Sequence, residues 1–289
     1  MHDVVPERED TAMTSALAPA PSPDTSSPRL LGRLGWLWVL LVGAAAYLLV
    51  LRTLVATENL NFVPSLILLG SIVVPASVLV FAASSGRQVL VPPGLIALVA
   101  VLGGVVGTVA AGTLEYDALH RLGALPMIAV GLIEEGAKLV VPLAVLLLTR
   151  HRDPRAGVVV GVASGMGFAT LETMGYGFHA LLSSGSLASL QQTLLLRALL
   201  SPAGHVAWTG LTVAALWAVA GAPRKGRAVL RLLGVFVAAV LLHAAWDGLD
   251  SVWVHLVVGG GSFAALLLTI RRAHRGGRRA PSSEMSQLG

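Results

Sequence analysis

The sequence predicts an all-α, polytopic membrane protein of about eight transmembrane helices with both termini cytoplasmic. Three observations carry that fold class. Of its 289 residues 55% are hydrophobic and only 12% are charged, with a mean hydropathy of +0.79, well outside the range of soluble domains. Apolar runs long enough to cross about 30 Å of hydrocarbon recur along the chain. Basic residues gather on alternate connections between those runs.

The segment 1–33 reads as a disordered cytoplasmic tail, because PAPSPDTSSP and its surroundings hold too little apolar surface to offset the entropy of ordering. No cleavable signal peptide is expected, since the first apolar run begins near Leu34 behind that tail and is long enough to span. Spans are then expected at 35–51, 62–83, 89–111, 123–149, 156–181, 195–221, 228–250 and 252–270. Only Asp250 and Ser251 separate the last two, so a tight hairpin or a re-entrant segment fits there equally. Residues 34–122 read as transmembrane scaffold helices, 123–270 as a catalytic transmembrane core, and 271–289 as a basic cytoplasmic tail.

Orientation follows from the short loops. With the N-terminus inside, Arg29, Arg33, Arg87, Arg150, Arg152, Arg155, Arg224, Lys225, Arg227, Arg231, Arg271, Arg272, Arg275, Arg278 and Arg279 all fall on the cytoplasmic side. Arg52, Arg121 and Arg197 fall outside. The net charge of +5 therefore reads as loops meeting anionic lipid, and nucleic acid is not an expected partner. With no cysteine, disulfides, thiol nucleophiles and thiolate metal sites are excluded. Gly103 with Gly107 and Gly161 with Gly165 are small-xxx-small pairs suited to close helix contact.

Spans one to three carry no charge in their expected interiors, whereas spans four to seven carry Glu134, Glu135, Lys138, Glu172, His179, His205, His243 and Asp247. A charged group in hydrocarbon costs at least about 2.5 to 3.5 kcal/mol, so these groups need partners, a wet cavity or a function. Counted from the outer ends of their spans, Glu134, Glu172, His205 and His243 lie about 17, 14, 15 and 10 Å deep, on four successive helices. Glu134 with Lys138, Phe168 with Glu172, and His243 with Asp247 are each spaced i, i+4 and share a face, while Glu135 is rotated about 100° from Glu134. Taken singly, each has a bland reading: an intrahelical ion pair at Glu134 and Lys138, a satisfied histidine at His243, and lone interhelical hydrogen bonds at Glu172 and His205. His179 and His255 read as interfacial. The shared depth favours one cavity.

A carboxylate beside imidazoles in a low-dielectric pocket can deprotonate water. The same donors can hold a zinc-like divalent ion that lowers the pKa of bound water. Both chemistries fit the residues. No HExxH, GxSxG triad order or paired aspartates of the YD and GxGD kind occurs, and neither Ser164 nor Ser201 lies in a nucleophile setting.

Four ordered motifs, Glu134-Glu135-x-x-Lys138, Phe168-x-x-x-Glu172, His205 after Pro202-Ala203-Gly204, and His243-x-x-x-Asp247, resemble those of the PrsW family of intramembrane proteases, a branch of the CAAX-processing and Abi-type group. The resemblance covers about residues 123 to 250. It implies hydrolysis of a peptide bond in or near the membrane boundary of a membrane-anchored protein, such as an anti-sigma factor, by a multi-pass plasma-membrane enzyme. Carried over, Glu134 and Glu135 would supply the catalytic carboxylate, with Lys138 neutralising one of them. Glu172, His205 and His243 would bind Zn2+ or orient water and the oxyanion, and Asp247 would fix the His243 tautomer. A glutamate mechanism without metal stays open. The rival functions are a non-catalytic membrane scaffold of the same fold and a proton-coupled transporter, the latter weakened by the lack of internal repeats.

Overall fold

A computed structural model of the chain describes residues 34–84, 91–149 and 153–276, and every regular element among them is helical. The helices are α1 (Gly35–Thr57), α2 (Val63–Ser84), α3 (Pro93–Leu122), α4 (Met127–Lys138), α5 (Val140–Leu148), α6 (Pro154–Ser184), α7 (Leu187–Leu200), α8 (His205–Gly221), α9 (Lys225–Gly248) and α10 (Val252–Gly276). Of the two expected cytoplasmic tails, 1–33 lies outside the described residues, and 271–289 is described only for 271–276, which continue α10.

Seven stretches are long and apolar enough to cross a membrane: Gly35–Thr57, Leu60–Ser84, Pro93–Leu122, Arg155–Ser184, Leu187–Gly221, Lys225–Gly248 and Val252–Arg275. The fourth expected span, 123–149, differs. It is broken at Leu139 into α4 and α5, neither long enough alone. The cause is Pro142, which has no N–H to offer the carbonyl four residues back. That carbonyl, on Lys138, is taken instead by Ser164 Oγ of α6 at 3.0 Å. Ser164, a spare hydroxyl in the sequence, thus satisfies a broken helix. The fifth crossing is also interrupted: a 3-10 turn at Ser201–Ala203, containing Pro202, separates α7 from α8 and starts a new helix at His205.

The third helix is longer than its apolar pattern. It was expected to end at 111 but continues to Leu122, where Gly123 at φ +71 closes it through an N–H to the Leu119 carbonyl. Glu115 therefore lies within a helix assigned to uncharged scaffold. The two candidate spans around Asp250 resolve as separate helices, α9 and α10, joined by Leu249–Ser251.

Helix α6 is the hub. In its most apolar window 83% of residues are buried, against 11% in α1 and 17% in α9, so α1 and α9 turn leucine and valine faces outward as lipid-facing surface. Glycine spacing explains how the others reach it. Gly157, Gly161 and Gly165 form one stripe of α6, and a Cβ on them would meet Trp217, the Thr209 carbonyl and the His205 carbonyl at 2.6, 2.8 and 2.7 Å. Residues 205, 209, 213 and 217 form the answering stripe of α8, so the antiparallel pair locks residue by residue. On the other side, Gly103, Gly104 and Gly107 of α3 admit Ser164, Gly167 and Phe168 of α6. A Cβ on Gly167 would collide with the Ala100 carbonyl.

Candidate active site

Glu172 follows Gly165 by seven residues, two helical turns, and so continues the face of α6 that packs on α8. His205 is the first residue of α8, where side chains lean back toward the helix N-terminus. The two meet: His205 Nε2 lies 2.8 Å from Glu172 Oε2. Helix α4 inserts beside them and presents Glu134, Glu135 and Lys138, all buried. Helix α9 packs along α4, where Gly131 approaches the Val240 carbonyl, and this close approach brings in His243, which is fully buried.

Lys138 ties the centre together. Its Nζ donates to Glu135 Oε1 at 2.7 Å, to His205 Nδ1 at 2.9 Å and to Glu134 Oε2 at 3.4 Å, and lies 4.4 Å from the centroid of the Phe168 ring. An ammonium only donates, so His205 Nδ1 accepts and the ring proton sits on Nε2, facing Glu172. Glu135, rotated away from Glu134, also accepts from His243 Nδ1 at 2.9 Å. That bond leaves His243 Nε2 pointing at two carboxylates, Asp247 Oδ2 at 3.0 Å and Glu134 Oε2 at 3.5 Å. Asp247 meets His243 from one turn away on the same face of α9.

Two atoms of this cluster, His243 Nε2 and Glu172 Oε2, are buried without a hydrogen bond of adequate geometry. A lone pair on Nε2 facing two carboxylates calls for a cation between them, either a proton or a metal ion. The donors suit a zinc-like ion. One atom each from Glu134, His205 and His243 fall within 4.8 Å of one another, and the Glu134 Oε2 separations to His243 Nε2 and His205 Nδ1 are 3.5 and 3.9 Å. Zinc bonds of about 2.0 to 2.1 Å place neighbouring tetrahedral ligands about 3.3 to 3.5 Å apart. Lys138 competes for the His205 Nδ1 lone pair, and Glu172 stands one contact outside this trio.

Two participants escaped the sequence reading. Arg197 of α7, placed among outer-loop residues by charge counting, reaches Glu172 Oε1 at 2.8 Å and covers the Tyr176 ring at 3.9 Å. Glu172 has no cation within one helical turn on its own helix, which was the available signal that one comes from a neighbour. Glu115 is the other. A cavity of about 390 Å³ between α3, α4 and α6 is lined by Glu115, Glu134, Phe168, Glu172, Tyr176 and His179 among others. His179, expected at the interface, is thus on the approach to the site. His255 is not: its Nδ1 is held by the Ser251 carbonyl at 2.8 Å.

Seven polar residues singled out in the sequence, Glu134, Glu135, Lys138, Glu172, His205, His243 and Asp247, therefore converge within one network from four helices. Comparison with known proteins agrees with this picture at the level of family. No curated protein and no solved structure gives a significant match. The model of the PrsW family intramembrane metalloproteases matches residues 74–270, about two thirds of the chain and all of the network. This chain, with its buried glutamates and histidines on broken, glycine-packed helices, belongs to that family of membrane-embedded proteases.

Proposed function

We propose that the enzyme cleaves a peptide bond near the extracytoplasmic membrane boundary of a membrane-anchored protein, with Glu134 as the base that activates water. The observation that carries this reading is the double position of Glu134, which lines the cavity and also faces both histidines. Glu135 is absent from the cavity lining and is engaged by Lys138 and His243, so it serves as the fixed charge that holds them.

The roles then divide by contact. Glu134 takes the proton of the attacking water and can return it to the leaving amine. Lys138 and His205, whose protons are taken up by Glu135, Glu134 and Glu172, hold the two cavity carboxylates in place. Glu135 and Asp247 orient His243, and Arg197 holds Glu172. Glu134, His205 and His243 could instead hold a zinc-like ion, which would supply Lewis acidity and lower the pKa of water, with Glu134 then a ligand rather than the base. Burial of α4 and α6 keeps bulk water from the network.

The cavity is lined at the C-terminal ends of α3 and α6 by Glu115, Tyr176 and His179, the end opposite Arg155 and Arg231. The basic-loop bias makes the arginine end cytoplasmic, so the cavity faces outward in a plasma-membrane protein. A single-span protein cut at its outer boundary, such as an anti-sigma factor, fits that access.

Mass spectrometry of new protein termini in membranes expressing this chain or Glu134→Gln at equal abundance tests the reading. Termini confined to the unaltered chain, near the outer ends of single-span proteins, are expected. Identical sets from two folded proteins would overturn it. Metal content near one zinc per chain, lost in His243→Ala, would assign the metal form; cleavage by metal-free protein would assign the glutamate form.

A further inference from the structure

We propose that a second cavity, on the cytoplasmic side of the histidines, is a binding site for one acyl chain of an anionic phospholipid. The cavity has a volume of about 570 Å³ and lies between α8, α9 and α10. Its wall is apolar along most of its length, with Leu211, Ala214, Val235, Ala238 and Ala265 among the lining residues, and Arg155, Arg231 and Arg272 stand at one end.

The cavity has the depth of one leaflet. Along α8 it runs from Trp208 to Ala218, along α9 from Leu242 to Arg231, and along α10 from Gly261 to Ala273. At 1.5 Å per residue each path covers about 15 to 18 Å, roughly half of a 30 Å hydrocarbon core. Arg155 of α6, Arg231 of α9 and Arg272 of α10 thus stand at headgroup level, with alanines, leucines and valines of α8, α9 and α10 beneath.

Charge selects the headgroup. Arg155 is engaged by Asp153, with contacts down to 2.6 Å, but neither Arg231 nor Arg272 has an acidic partner among the described residues. A neighbouring cavity shares Arg231 and Ala218 and adds Arg224 and Arg227. Around one mouth, Arg224, Arg227, Arg231 and Arg272, none with an acidic partner among the described residues, suit a phosphodiester and disfavour a peptide segment or a neutral lipid.

The inner end of the cavity is Trp208, which is buried and donates from Nε1 to Ser262 Oγ at 3.0 Å. Its indole stacks on His243 at a centroid distance of 5.1 Å and meets His205 edge-on at 5.6 Å. The lipid chain therefore ends against the wall that holds both histidines, on the far side from the substrate cavity.

The test uses the full chain in vesicles of phosphatidylcholine with or without phosphatidylglycerol brominated on its acyl chains. Quenching of tryptophan emission and native mass spectrometry report occupancy. About one retained phosphatidylglycerol per chain is expected, with affinity reduced about tenfold or more in Arg231→Gln with Arg272→Gln, and unchanged in Arg52→Gln with Arg121→Gln at the other end. Ala265→Phe, which fills the shaft without altering charge, should reduce retention as strongly. Equal retention of phosphatidylcholine, or equal losses in the two arginine double variants, would overturn the site. If Ala265→Phe does not fold, quenching in the unaltered chain against the Arg231, Arg272 variant decides.

Discussion

Glu135 and His243, 108 residues apart in sequence, meet at 2.9 Å between helices α4 and α9, and both side chains are almost wholly buried. Glu134, one residue away, faces the cavity instead. Adjacent carboxylates thereby take different tasks. Glu134→Gln should abolish cleavage while leaving thermal stability in detergent nearly unchanged. Glu135→Gln should lower stability by about 3 kcal/mol as well as activity, because it leaves Lys138 without its shortest ion pair. Melting curves and a cleavage assay on both variants separate the two.

Removing the lysine should be worse than removing either acid. Lys138→Met strands Glu135 and Glu134 as unpaired buried charges, at a cost of about 3 to 5 kcal/mol. Glu135→Gln in the same chain should recover part of that loss, and a double-mutant cycle on unfolding midpoints measures the coupling.

Glycine substitutions should divide by position. Gly161→Ala places a methyl 2.8 Å from the Thr209 carbonyl and the Val213 Cβ, so α6 and α8 must separate, at about 1 to 3 kcal/mol. Gly112→Ala meets nothing within 4 Å and should be neutral or stabilising by up to about 1 kcal/mol. Unfolding midpoints of both variants check the contrast.

Arg197→Gln should lower kcat/KM about tenfold or more by freeing Glu172 from its 2.8 Å ion pair and so loosening His205. Arg197→Lys should restore part of the rate, since charge survives but the guanidinium stack on Tyr176 does not. A purely structural arginine would shift melting in both variants without this graded kinetic recovery.

At the membrane surface, Asp153 caps α6 through the Arg155 N–H at 2.9 Å, and the Arg155 guanidinium holds its carboxyl below the usual range. Its folded pKa is depressed, so its contribution is present above the unfolded value of about 4 and fades as pH falls through the lower folded value. Asp153→Ala should cost about 1 kcal/mol at neutral pH, with the difference from the unaltered chain vanishing in strong acid.

The sequence by itself determined the membrane class, most of the crossings and the residues of the network, because burying charge in hydrocarbon is costly enough that Glu134, Lys138, Glu172 and His243 stand out against apolar runs. Spacing along single helices also paired His243 with Asp247 and Glu134 with Lys138, since i and i+4 share a face whatever the fold. Tertiary structure decided the rest. The break at Leu139 is accommodated by Ser164, 26 residues from Lys138, donating its hydroxyl to the Lys138 carbonyl that Pro142 cannot serve. Arg197 reached Glu172 because α7 packs on α6 where Gly177 admits Leu190 and Leu194, and Glu115 entered the cavity wall because the α3 glycines let α3 and α6 approach closely. Which glutamate faces the cavity and which is locked by Lys138 is a property of helix rotation, set by packing against neighbours that no single helix specifies.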